Sequence, residues 1–201
     1  MFQSPLSTHS FIERFIADLE MATPKSERLG SAPACVVPAA APRWIPPPPG
    51  LMKVNVDAAL SKNSDLVALA AVTRDGTGAF LGASALVLNG ITDPETAEVL
   101  ACREGFALAV DLMISRVRIA SDCVGAVRSL EGSGMSRYGH VIREIKAAMA
   151  SFEEAVVVYE GRASNIDVHT LARSSIYKSE GRHVWFFILP MEFVPATMLI
   201  E

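Results

Sequence analysis

An aspartate inside an apolar strand is a residue out of place, and the run Val54-Asn55-Val56-Asp57-Ala58-Ala59-Leu60 contains one. Two further acids stand at marked positions: Glu98 lies one turn into a long helical run that opens at Pro94, and Asp122 closes the short apolar strand 117–121. Each has an ordinary alternative. Asp122 could cap the helix that follows it, Glu98 could complement the dipole of its own helix, and Asp57 could be a surface strand end. Taken together they point to metal chemistry, because clustered carboxylates repel one another unless a hard divalent cation such as Mg²⁺ neutralises them. Two such ions about 3.5–4 Å apart activate a water and stabilise the leaving oxygen in phosphodiester hydrolysis.

The elements that must position these acids follow from periodicity. Residues 51–58 alternate as a strand, with Val54 and Val56 on one face and Lys53, Asn55 and Asp57 on the other. Residues 66–73 form a second strand, Asp75-Gly76-Thr77-Gly78 a hairpin turn, and residues 79–88 a third strand. A helix over 94–113, a strand over 117–121, a helix over 122–131, a helix over 137–151, a strand over 155–159 and a helix over 165–178 complete the body. Three hairpin strands followed by alternating helices and strands describe a mixed sheet covered by helices. In such a sheet the first and fourth strands can lie side by side beneath the long helix, which would bring Asp57, Glu98 and Asp122 to one end.

Flanking segments read differently. Residues 10–22 have helical spacing with a capping box from Ser10 to Glu13, and residues 23–50 are rich in Pro and Ala, as a linker would be. The expected organisation is therefore a short helix and linker over 1–43, one domain over 44–180, and an apolar extension over 181–201, whose part from Trp185 to Ile200 is either an added edge element or a loosely attached segment.

Ordered blocks of sequence then carry a family resemblance. Trp44-x-Pro-Pro-Pro-Pro-Gly-x-x-Lys53-x-Asn55-x-Asp57, Thr73-Arg74-Asp75 with Gly78, Ala97-Glu98-x-x-Ala101, Ser121-Asp122-Cys123 and Arg162-x-x-Asn165-x-x-x-His169-x-Leu171-Ala172 follow in order, with Trp185 and Pro190 in the tail. The chain resembles the ribonuclease H-like domain of plant retroelement-derived and stand-alone proteins. The resemblance implies a mixed five-stranded α/β sheet with helices on both faces. It further implies hydrolysis of the RNA strand of RNA–DNA hybrids with Mg²⁺ or Mn²⁺, and Asp57, Glu98 and Asp122 as metal ligands. The family has a fourth acidic ligand at the position held here by His169, a change that plant relatives share, and His169 is counted with the catalytic set on that basis. Asp167, two residues away, does not share its helix face and is a poor substitute; Asn165 is expected to cap the last helix and Asp167 to complement its dipole. Asn55, Arg162 and Asn165 are candidate nucleic-acid contacts, and Arg173 a further basic candidate. Ala58 and the alanines of the second strand stand where relatives carry glycine.

Composition bounds these readings. The net charge of −4 and pI near 5.6 exclude a protein that grips nucleic acid through a broadly basic surface, so a hybrid-binding enzyme here needs local cations or metal ions. That balance, with His169, keeps open a second reading: a domesticated, non-catalytic binding or interaction module on the same fold. The cysteines, 3 in number, show no CxxC spacing and read as free thiols of a reducing compartment. No apolar run is long enough to span a bilayer, and no secretory signal is evident. A monomer in the nucleus or cytoplasm, with nucleic acid as its partner and no membrane, is the expectation.

Overall fold

The computed structural model describes residues 44–132 and 138–188. The short helix over 10–22, the linker up to residue 43, the helix start at Arg137 and the tail beyond residue 188 lie outside the described residues. Within them the elements are β1 (Met52–Leu60), β2 (Leu66–Arg74), β3 (Phe80–Asn89), α1 (Pro94–Asp111), β4 (Arg116–Ser121), α2 (Val124–Glu131), α3 (Gly139–Met149), β5 (Glu154–Tyr159), a 3-10 turn (Arg162–Ser164), α4 (Ile166–Ser175) and β6 (Gly181–Phe186).

The strands form one sheet in the order β5-β4-β1-β2-β3-β6. β1 is parallel to β4 and β4 to β5, whereas β1–β2, β2–β3 and β3–β6 are antiparallel. The period-2 pattern of β1 sorts its side chains to two cores. Val54 and Val56 pack with Val67, Leu69 and the buried sides of α1 and α3, while Ala59 joins Ala70, Val72, Ala83 and the Val168, Leu171 and Ala172 face of α4. Helices therefore cover both faces, as expected.

The sheet has six strands, not the expected five. Residues 181–186, expected to belong to an apolar extension, pair with β3 from Gly82↔Phe186 to Val87↔Gly181. Trp185 packs on the α4-side core, and Arg182 reaches across to Glu104 at 2.7 Å and Asp111 at 2.6 Å on α1. Read locally, this segment is only six residues long, with Gly181, Arg182 and His183 leading a short apolar run. What makes it a strand is the open edge of β3, which only the assembled sheet provides.

α1 lies very close to β1. Ala97, Ala101, Gly105 and Ala109 are all buried at four-residue spacing, and a Cβ on Gly105 would stand 2.6 Å from Val56 Cγ1. Small side chains on that stripe let the helix axis approach the sheet, and the approach carries Glu98 to the strand that holds Asp57. None of the described helices is long and apolar enough to cross a membrane.

Candidate metal centre

β1 outlasts β4, and the acids sit at the step. The parallel register ends with Val56 opposite Ser121, so Asp57, still within β1, and Asp122, the first residue past β4, come next on each chain. β1 continues straight while the other chain turns into α2. Asp122 does not cap that helix. Cys123 does, its Sγ accepting the Ala126 N–H at 3.5 Å while its own N–H donates to Ser121 Oγ. The Asp122 carboxylate is left facing the exposed Arg162, whose Nε lies 3.4 Å away. Glu98 is not a dipole acid either, for the acid in the first turn of α1 is Glu95, and its carboxylate accepts the Tyr138 hydroxyl.

The structure brings together all three acids, Asp57, Glu98 and Asp122, each with one carboxylate oxygen within 4.8 Å of the others. Asp57 is buried, and Glu98 Oε2 is a buried oxygen with no hydrogen-bond partner. Burial, reinforced by the charges of Asp57 and Asp122, pushes the Glu98 carboxyl up to about 8. Burial also raises Asp57; a hydrogen bond with His169 works against the rise, and the Asp122 charge adds to it. An orphaned buried oxygen among repelling carboxylates is the environment a divalent cation would relieve. An all-oxygen set suits a hard ion.

His169 projects from the first turns of α4 to this group, with Nδ1 2.8 Å from Asp57 Oδ2. The position where the resemblance implies a fourth carboxylate thus holds an imidazole bonded to the first one. Asp167 turns away and accepts from Arg74 at 2.9 Å; Arg74 also donates to Gly78 O, which gives the Thr73-Arg74-Asp75 block a role in tying the β2–β3 turn to α4.

One expectation, the side-chain cap of the last helix, needs correction. Asn165 occupies the N-cap position of α4 but makes no side-chain cap; its Nδ2 donates to Val56 O at 2.9 Å, and its Oδ1 accepts from Asn55 Nδ2 at 2.8 Å. Both amides are buried and bond each other, which holds α4 against β1 beside Asp57. Arg162, in contrast, is 74% exposed and stands at the rim.

Sequence reasoning missed a buried ion pair that braces the same strand. Lys53, fully buried, bonds Glu160 Oε2 at 2.5 Å and Ile45 O at 2.7 Å, and lies 5.3 Å from the centre of the Trp44 ring. Arg118 approaches the other Glu160 oxygen at 3.5 Å. The signal was present in Lys53, a charge alternating inward in an apolar strand, but its partner lies 107 positions away.

Comparison with known proteins agrees with this geometry. The model of the family described as reverse transcriptase-like matches residues 55–175. No curated protein matches the chain. Among solved structures, ribonuclease H1 of Halobacterium salinarum shares 17% identity at a TM-score of 0.56, covering 64% of this chain and 98% of that one. The N-terminal RNase H domain of a Mycobacterium tuberculosis protein gives 18% and 0.56, with 62% and 92% covered. LC11 ribonuclease H1, solved in complex with an RNA/DNA hybrid, gives 19% and 0.55, with 63% and 97% covered. These likenesses establish the ribonuclease H-like fold.

Proposed function

The chain belongs to the reverse transcriptase-like family, and from that premise we propose that it is a divalent-metal-dependent nuclease that hydrolyses the RNA strand of RNA–DNA hybrids. The observation that carries this reading is the convergence of Asp57, Glu98 and Asp122 around a buried carboxylate oxygen that no protein group satisfies. Asp57, Glu98 and Asp122 would hold the cations, Mg²⁺ or Mn²⁺. When bound, the ions supply a water of lowered pKa and charge stabilisation at the leaving oxygen. The protein's own contribution is placement. The Asn55–Asn165 pair fixes α4 against β1, the small-residue stripe of α1 sets the depth of Glu98, and Arg162 offers an exposed guanidinium beside Asp122 for a phosphate oxygen. The ordered sequence blocks and His169 support a place in the plant retroelement-derived branch. LC11 ribonuclease H1 and a foamy viral protease-reverse transcriptase were each solved in complex with an RNA/DNA hybrid, which supports the substrate class.

The test is cleavage of an end-labelled RNA–DNA hybrid in Mg²⁺ and in Mn²⁺, with single-stranded RNA and duplex DNA as controls and Asp57→Asn as the inactive comparison. Cleavage of the hybrid alone, lost in Asp57→Asn, is the expected result. A second reading, a non-catalytic nucleic-acid-binding module, is favoured by one observation: His169 occupies the fourth position and engages Asp57 directly. Under it the hybrid is bound but never cut, and Asp57→Asn changes nothing but stability.

A further inference from the structure

A second feature opens beside the metal centre. A cleft of about 880 Å³ runs between the β1–β2 turn and α4, reaching from Ala58 and His169 to Tyr177. Its near end is the residue after Asp57 and the imidazole bonded to Asp57, so a chain leaving the carboxylate group enters it directly. Lys62 lines it from the β1–β2 turn and Arg173 from α4, together with Ser61, Ser64, Thr170 and Ser174, and no carboxylate residue is among the described residues that line it.

The cations here are unusual for this molecule. Most lysines and arginines among the described residues are committed: Arg74 to Asp167, Arg103 to Glu144, Arg116 to Glu154, Arg182 to Glu104 and Asp111. Lys62, Arg128 and Arg173 are the described cations whose side chains make no ion pair or hydrogen bond, and two of these line one cleft. In an acidic protein, unneutralised positive charge gathered in a polar groove marks an anion site. Tyr177, 91% exposed at the far end, offers an aromatic face that packing does not use.

We propose that this cleft is a nucleic-acid track in which Lys62 and Arg173 hold backbone phosphates of the hybrid and Tyr177 stacks on a base or sugar. The inference rests on the nuclease reading for its substrate. Two phosphate contacts, one from the β1–β2 turn and one from α4, fix the strand's path, and an aromatic end plate limits its slide. The polar wall residues favour a hydrated backbone over an apolar ligand.

Binding of a fluorescent RNA–DNA hybrid to the full chain in EDTA, where metal-dependent cleavage cannot intrude, tests this. The double variant Lys62→Ala/Arg173→Ala should weaken binding about tenfold or more and lower the slope of log Kd against log salt by about two. Tyr177→Ala should weaken it by at least about fivefold, with Tyr177→Phe close to the parent. Arg128→Ala, an unpaired cation outside the cleft, should stay within about twofold of the parent. Thermal melts of each variant separate misfolding from lost contacts, and Lys62→Gln/Arg173→Gln repeats the test if the alanine pair is unstable. Unchanged affinity and salt slope in both double variants would overturn the proposal, as would an Arg128→Ala loss equal to theirs, or no binding by the parent at low salt. Hybrid cleavage by the parent together with an indifferent double variant sinks the cleft and spares the nuclease; cleft-dependent binding with no cleavage in any metal does the reverse.

Discussion

At Glu98 the cost of the site can be read as a proton. Without metal, its carboxyl keeps the proton up to about 8 in the fold but loses it near 4.5 in the unfolded chain. Between those values the native state binds more protons than the unfolded state, so stability falls as pH rises; Asp57, also raised, acts in the same sense. The metal-free melting temperature should therefore drop from about pH 5 to about pH 8, and Glu98→Gln, which cannot ionise, should flatten the drop. Saturating Mg²⁺ should compress it too, since the cation favours the ionised form. A metal-free melting temperature that climbs across this window would contradict carboxylate repulsion as the governing effect. His169 carries a second prediction. His169→Asp would set another carboxylate against Asp57, lowering metal-free stability while strengthening the hold on Mg²⁺. Mg²⁺-supported cleavage should rise about tenfold, or about 1.4 kcal/mol of barrier, and the parent should prefer Mn²⁺, which accepts nitrogen more readily. Rates for both proteins in both metals decide it, and equal Mg²⁺ rates would remove the missing-carboxylate argument.

The elements hold these residues through close approach and one buried pair. Gly105 lets α1 rest on Val56, next to Asp57, with no room for a methyl group. Gly105→Ala gains about 1 kcal/mol of helix propensity and loses about 1–3 kcal/mol to overpacking, so urea denaturation should show a net loss. Adding Val56→Ala should recover part of that loss, because it vacates the space the new methyl needs. Lys53 presents the opposite case, a charge that β1 buries because Glu160 at the end of β5 meets it. Lys53→Met should cost about 3–5 kcal/mol by leaving Glu160 buried and short of its main partner. Glu160→Gln on that background should restore a measurable fraction; a double variant no more stable than Lys53→Met would show that the deficit is lost packing around Trp44 rather than stranded charge.

On the scale of the whole molecule, β6 closes the sheet on one side and is stapled to α1 by Arg182, whose partner Glu104 is buried. A chain ended at residue 180 would uncover the β3 edge, strand Glu104 and expose the core beneath Trp185. Compared with a chain ended at residue 188, it should melt several degrees lower and aggregate on heating, as an unpaired edge does. Equal melting temperatures would mean that β6 is an ornament of the fold. The molecule's net charge of −4 sets the terms on which nucleic acid can be held at all. Binding must come from a few placed cations and the metal centre, so its salt dependence should be shallow compared with that of a broadly basic protein.

Much was legible in the residues. Period-2 and helical patterns, Pro94 at a helix start and the Asp75–Gly78 turn are local signals, because strand pleat, helix pitch and capping act over a few residues; the element order followed from them. Asp57 was legible for the same reason, as an acid where a strand tolerates none, and Glu98 and Asp122 became legible beside it through the ordered blocks. What the tertiary structure alone decided are partnerships across distance. These include Lys53 with Glu160, the use of the Asn165 amide on β1 instead of its own helix, the contact of His169 with Asp57 across 112 positions, and the enrolment of residues 181–186 as a strand. Neighbouring residues constrain a backbone through sterics and short hydrogen bonds, but which buried donor meets which acceptor is settled only when the packed core removes water as the competing partner.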